Sequence, residues 1–165
     1  MTTDDPAEVA VMSAIGLAAE LRVAVARGFS AWNECLVDNL DIEVEIRHVP
    51  AVPHLDGRRD APAAAVYFRE ESSVFPRAFE ADFRFQARVR ARGADVRAEI
   101  WHRGTLALPN RPTVAVGFDL ELGLSAGRIT RVVGTGRPDT ARADLIGWLE
   151  AVRLVGGFDP PPAQR

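Results

Sequence analysis

Residues 79–92 read Phe79-Glu80-Ala81-Asp82-Phe83-Arg84-Phe85-Gln86-Ala87-Arg88-Val89-Arg90-Ala91-Arg92, and their alternation sets the fold class. Phe79, Ala81, Phe83, Phe85, Ala87 and Val89 fall on one side, with Glu80, Asp82, Arg84, Gln86, Arg88 and Arg90 on the other. A period of two with charge on one face is the signature of a half-buried antiparallel strand. Arg92-Gly93-Ala94-Asp95 turns the chain into a second strand, Val96 to Leu106, whose apolar phase is Val96, Ala98, Ile100 and then His102. Pro109-Asn110-Arg111-Pro112 turns it again into Thr113 to Leu122, and Ser125-Ala126-Gly127 into Arg128 to Val133, so the second half of the chain is a meander.

Upstream of this stretch the chain is mainly helical. Pro6 to Arg27 is rich in Ala, Leu and Val, with Gly only at Gly16, and reads as a long buried helix; Gly28 stops it. Ser30 caps a short second helix through Asn39. Asp41 to Val49 alternates again, placing Ile42, Val44, Ile46 and His48 on one side. Asp60 caps a third helix from Ala61 to about Ser73, with Pro62 in its first turn and Pro76 closing it. Beyond the meander, Asp139 or Thr140 caps a last helix carrying Leu145, Trp148, Leu149 and Val152 as an apolar stripe. The expectation is α+β: a strongly curved antiparallel sheet wrapped around N-terminal helices, plus a C-terminal helix. Residues 1–155 form one domain and 156–165 a flexible Pro-rich tail. A bent sheet only partly closed by helices leaves a blind cavity, where small-molecule sites form.

Composition bounds the function. The chain has 165 residues, 47% hydrophobic, with one cysteine and a formal net charge of −3. One cysteine excludes an internal disulfide framework, and no apolar run is read as long enough for a membrane span. All twenty basic residues are arginine, yet the total is acidic, which argues against nucleic acid as a partner. The acidic start MTTDDPAEVA is unlike a secretory leader, so the expected location is cytoplasmic.

The succession of long helix, short helix, strand, Gly57-Arg58-Arg59-Asp60, third helix and a meander closed by Gly127-Arg128-Ile129-Thr130 resembles the SnoaL-like branch of the nuclear transport factor 2-like superfamily. The resemblance covers Ala10 to Val133. It implies polyketide cyclases, ketosteroid isomerases and dehydratases as relatives, alongside noncatalytic modules, and homodimers formed through the outer sheet face. It also implies positions. Asp119, in Phe118-Asp119-Leu120-Glu121 ahead of Gly127-Arg128-Ile129, matches the family's cavity-facing acid, and His48 stands where isomerases hold their general base. Tyr67 on the third helix matches a supporting tyrosine. The oxyanion tyrosine of the first helix has no counterpart, since the stretch reads Glu20-Leu21-Arg22-Val23-Ala24.

The residues themselves support part of this. Imidazole titrates near neutrality without tuning, and a carboxyl in an apolar pocket stays protonated and donates, the arrangement that ketosteroid isomerases illustrate. Strand phase, however, groups Phe118, Leu120 and Leu122 and sets Asp119 on the opposite face. His48 and Asp119 are expected as the catalytic pair, with Tyr67 from the resemblance and His102, Phe83, Phe85 and Ile100 from the inward phase of their strands as substrate-binding residues.

Other motifs carry less. Gly134-Thr135-Gly136-Arg137-Pro138-Asp139 lacks the third glycine of a phosphate loop and reads as a turn. His48 and His102 with a carboxylate lack the spacing of an iron site, so no metal and no cofactor are expected. Cys35 reads as a small buried residue. Arg22 is expected either to reach the surface or to pair with a buried or substrate carboxylate. The functional expectation is a cofactor-independent acid/base enzyme acting on a hydrophobic carbonyl compound, a polyketide-type cyclase, isomerase or dehydratase. The alternative is a noncatalytic ligand-binding or dimerisation module, which a pocket plugged by Phe83, Phe85 and Trp101 favours.

Overall fold

The computed structural model describes residues 5–53 and 55–158. Helix α1 (Pro6–Arg27) starts where the Asp5 carboxylate accepts from the Ala7 amide, with Pro6 in its first turn, and stops at Gly28, whose φ of 111° favours a residue without a Cβ. Helix α2 (Phe29–Asp38) follows at once, and Ser30 makes no capping bond. The chain then enters β1 (Leu40–Val49), β2 (Gly57–Asp60) and α3 (Ala61–Arg77), capped as expected by Asp60 accepting from the Ala63 amide. Pro76 lies inside the last turn of α3 rather than ending it. The meander β3 (Arg84–Arg92), β4 (Asp95–Thr105), β5 (Thr113–Ser125) and β6 (Arg128–Gly136) leads to α4 (Arg142–Val155).

The six strands form one sheet in the order β2-β1-β6-β5-β4-β3. The α+β class stands, but the sheet is mixed: β1 runs parallel to β6, all other neighbours being antiparallel. The helices crossing between β1 and the meander make this parallel pairing possible, because the chain returns to β1's flank only after building the far edge.

All four helices cover one face. Leu17, Ala18 and Leu21 of α1, Trp32 and Leu36 of α2, and Phe68 of α3 are buried there against Val89, Val96, Ile100, Val116 and Leu122 of the meander. The opposite face carries the arginines and acids, including Arg97–Glu121 and Arg131–Glu121 ion pairs across neighbouring strands. Each such exposed pair contributes about 0–1 kcal/mol, so this face is solvated rather than stabilising.

Four expectations need correction. The strand expected from Phe79 begins only at Arg84, because the Asp82 side chain accepts from both the amide and the hydroxyl of Thr105 and breaks the ladder; Phe79 keeps a single bridge to Leu106. Ile42 is 83% exposed, since the register of β1 against β6 slips between Leu40 and Glu45. Helix α1 does reach spanning length, at 22 residues with an 18-residue window of mean hydropathy 1.8. Its Ala14, Leu17, Ala18, Leu21 and Ala24 nonetheless form a core stripe, and Arg22 donates to the Val89 carbonyl at 3.0 Å, pinning the helix to β3. Finally, Gly134-Thr135-Gly136 is the end of β6, not a turn.

Of the tail expected to be loose, residues 156–158 are described and 159–165 lie outside the described residues. Phe158 packs against Tyr67 and Phe75, ring centroids 5.4 and 5.7 Å apart.

Candidate active site

Between the sheet and helices α2, α3 and α4 lies a cavity of about 650 Å³. One feature of the strands opens it. The inward positions of β6 facing Leu120 and Phe118 are Gly134 and Gly136, which contribute no side chains to the floor. Helix α4, whose Leu145, Trp148 and Val152 also line the space, closes it from the far side. Most of the wall is aromatic or aliphatic, from Phe29, Trp32, Phe68, Phe75, Ile100 and Phe118.

The polar groups gather at one end. His48 is the last inward residue of β1, and its neighbour across the pairing is Gly134, whose hydrogen in place of a Cβ leaves the imidazole edge open. His48 Nδ1 lies 2.5 Å from Asp56 Oδ1, and Asp56 Oδ2 accepts from the Val52 amide at 3.1 Å. An Nδ1–H donated to that carboxylate fixes the tautomer and turns the Nε2 lone pair toward the other side of the ring. There Tyr67, buried on α3, places its hydroxyl 3.3 Å from Nε2.

Glu71 follows Tyr67 by one helical turn and lines the same space, so both side chains project from one face of α3. It is the cavity's only carboxyl among the described lining residues. Burial pushes its pKa from 4.5 up to about 8, contact with the Tyr67 hydroxyl pulling the other way. The surface it exposes opens onto the cavity, which is why a partly accessible group still feels a low dielectric. Burial also drives the Tyr67 phenol well above its ordinary value, with the Glu71 charge adding to that shift and Arg59 opposing it.

At the other end sits His102, 3% exposed and ringed by Phe29, Phe75, Phe83, Phe85, Phe118 and Trp148 at centroid distances of 5.3–6.1 Å. Its Nδ1 has no partner among the described residues. Burial lowers its pKa from 6.5 to about 3, so it is neutral at ordinary pH. An unfolded chain takes up a proton below pH 6.5 that the folded protein refuses until about pH 3, so His102 costs stability as pH falls through that window. Replacing His102 with Phe is therefore expected to flatten the acid limb. Urea unfolding between pH 7 and 4 would show a pH slope shallower by up to about one bound proton, and an unchanged slope would mean that the imidazole is not held neutral.

Of the residues expected from sequence, His48, Tyr67, His102 and Ile100 line the cavity together. Phe83 and Phe85 stand behind it, packing on Phe29 and His102 rather than facing the space, and neither plugs it. Trp101 is on the outer face, with the Arg103 and Arg137 guanidinium groups over its ring. Asp119 is not brought to His48. It points outward beside Glu99, its register partner, and accepts from Arg137 Nη1 at 2.6 Å with half of its side chain exposed. Strict alternation along β5, with Phe118 and Leu120 inward, leaves it no other direction. The sequence does not single out Asp56 or Glu71. Asp56 sits in an irregular loop with no periodicity to mark it, and the spacing of four between Tyr67 and Glu71 gains meaning only from the cavity that both line.

No protein-family model and no curated protein matches the chain. Solved structures do. A protein from Jannaschia sp. CCS1 described as a SnoaL-like polyketide cyclase is similar over 92% of this chain and 97% of its own, with a TM-score of 0.52 at 14% identity. One from Xanthomonas campestris pv. campestris described as a polyketide cyclase is similar over 84% and 98%, with a TM-score of 0.50 at 20% identity. A phenazine biosynthesis-related protein from Pseudomonas aeruginosa is similar over 93% and 96%, with a TM-score of 0.51 at 14% identity. The fold is that of the SnoaL-like, nuclear transport factor 2-like superfamily. At these identities the likeness concerns the backbone, and function has to come from the site itself. Among the described residues, no group of three or more His, Cys, Asp or Glu is placed to hold a metal ion.

Proposed function

We propose that this protein is a cofactor-independent acid/base enzyme that moves a proton on a hydrophobic carbonyl compound, of the polyketide cyclase, isomerase or dehydratase kind. The observation that carries the reading is the chain Asp56–His48–Tyr67 at the polar end of an otherwise apolar cavity. In this scheme His48 Nε2 takes a proton from the carbon next to the carbonyl, and Asp56 holds the ring and stabilises the imidazolium that forms. The Tyr67 hydroxyl, only loosely bonded to Nε2 at 3.3 Å, turns to donate to the carbonyl oxygen as charge develops there. The aromatic wall takes the body of the ligand, and His102 marks its far end. Similarity to proteins whose names tie them to polyketide cyclisation and phenazine biosynthesis agrees with a flat, carbonyl-bearing ligand. The same proposal places the protein in the cytoplasm as a homodimer.

The test needs no natural substrate. 2-Tetralone, a hydrophobic ketone with acidic α-protons, is incubated with the protein in D2O and deuterium uptake is followed by NMR. Uptake faster than buffer alone supports the reading. A probe that binds in the cavity yet exchanges no faster than in buffer favours a ligand-binding module instead.

A further inference from the structure

Arg59 takes no part in the scheme above, yet it is the most unusual charge in the molecule. It lies in the middle of β2, opposite Val44 of β1, and is 3% exposed. Neither Nη1 nor Nη2 has a hydrogen-bond partner among the described residues. Buried guanidinium groups are ordinarily paired, because taking an unpaired charge out of water is expensive. What Arg59 does have is a ring beneath it: its Cζ lies 4.8 Å from the centroid of Tyr67. That is within the range of a cation–π contact, which grows stronger when both partners are dry.

We propose that Arg59 is a positioning residue for the proton chemistry of this site, acting through Tyr67: its fixed positive charge on the ring favours the phenolate and makes the hydroxyl a stronger donor. This rests on the functional reading above for its purpose, though not for its physics. The charges facing Tyr67 are few. Arg59 covers the ring from β2, His48 meets the hydroxyl from β1, Glu71 neighbours it on α3, and Asp56 lies close enough in the loop before β2 to act on both Tyr67 and Arg59. Ionised Glu71 and Asp56 both oppose loss of the phenolic proton, and Arg59 is the group that favours it. A tyrosine asked to hand a proton to a developing oxyanion, in a site whose burial works against ionisation, gains from such a counter-charge. Because the guanidinium Nη atoms make no competing hydrogen bonds within the described protein, their field is not spent elsewhere.

The experiment uses a feature of the sequence: the chain has one tyrosine. Biosynthetic replacement of tyrosine by 3,5-difluorotyrosine therefore labels position 67 alone and brings the phenol into an accessible pH range. Its ionisation is then followed by fluorine NMR in the folded protein. Arg59→Met is expected to move the midpoint upward by about one pH unit or more, a tenfold weaker acid. Arg59→Lys, which keeps the charge without the planar stack, is expected to recover at least half of that shift. Should Arg59→Met fail to fold by circular dichroism, Arg59→Gln carries the same comparison against Arg59→Lys. A midpoint unmoved by loss of charge, or moved equally by Lys and by the neutral variant, overturns the proposal and leaves Arg59 a space-filling residue. Since no ligand is present, the result stands apart from whether 2-tetralone exchanges.

Discussion

Exchange of the 2-tetralone α-protons is expected to fall by about 10²- to 10⁴-fold when His48 becomes Gln, the range a positioned general base contributes. Gln keeps a polar head of similar reach and can still accept from Tyr67, so the fold and the cavity should survive and the loss should appear in the rate rather than in affinity. Asp56→Asn should cost less. It removes the carboxylate that fixes the Nδ1–H tautomer and stabilises the imidazolium, while leaving the base in place. Asp119→Asn is the control on the outer face, where the carboxylate serves Arg137, and should leave the rate unchanged. Equal rates for His48→Gln and the parent protein would remove His48 from the chemistry and the proposal with it.

The second large effect is on stability, and its sign follows from Glu71. The unfolded chain releases this proton near pH 4.5, whereas the folded protein keeps it to about pH 8. Between those values the folded state binds more protons, so stability falls as pH rises across the window. Glu71→Gln removes the titration. The variant should match the parent below about pH 4.5, gain progressively above it, and level off beyond about pH 8. A gap of that size sets a ceiling of roughly 5 kcal/mol at about 1.4 kcal/mol per pH unit. Water entering the cavity and relaxation of the helix reduce the expected gain to about 2 kcal/mol at pH 8. Chemical unfolding of both proteins from pH 4 to pH 9 measures it. Parallel curves would show that Glu71 is ionised at neutral pH.

How much of this is legible in the sequence depends on which physical signal each residue carries. Helix boundaries at Asp60 and Gly28, and the alternation of β3 through β6, are local rules written in consecutive residues, and they place the meander and the helices. His48 can be read because it continues the phase of Val44 and Ile46. Asp119 shows what happens when two arguments compete. Alternation along Phe118, Leu120 and Leu122 sets it outward, resemblance sets it inward, and the structure follows alternation because a buried apolar face leaves a strand no freedom of phase. The cavity's carboxyl comes instead from a helix, where Glu71 reads as an ordinary solvated position until the fold brings α4 and residues 156–158 around it. Asp56 and the four-residue β2 are beyond reach for another reason. A loop acid and a strand of four residues have too few neighbours in sequence to show a period, and only pairing with β1 gives them a place.

The bare floor at Gly134 and Gly136 has one further implication. A Cβ added at either backbone position would meet its nearest neighbour at ordinary contact distance, 3.8 Å from His48 Cδ2 and 3.9 Å from Leu145 Cδ2. Both sites thus tolerate alanine sterically, but at Gly134 the methyl would lie against the His48 ring, whereas at Gly136 it would take room from the guest beside Leu145 with none of His48, Asp56, Tyr67 or Glu71 within 4 Å. Selectivity for molecular size and competence for proton transfer are consequently separable traits at Gly136, so descendants of this scaffold could drift toward smaller guests there while their reactive groups stay as they are.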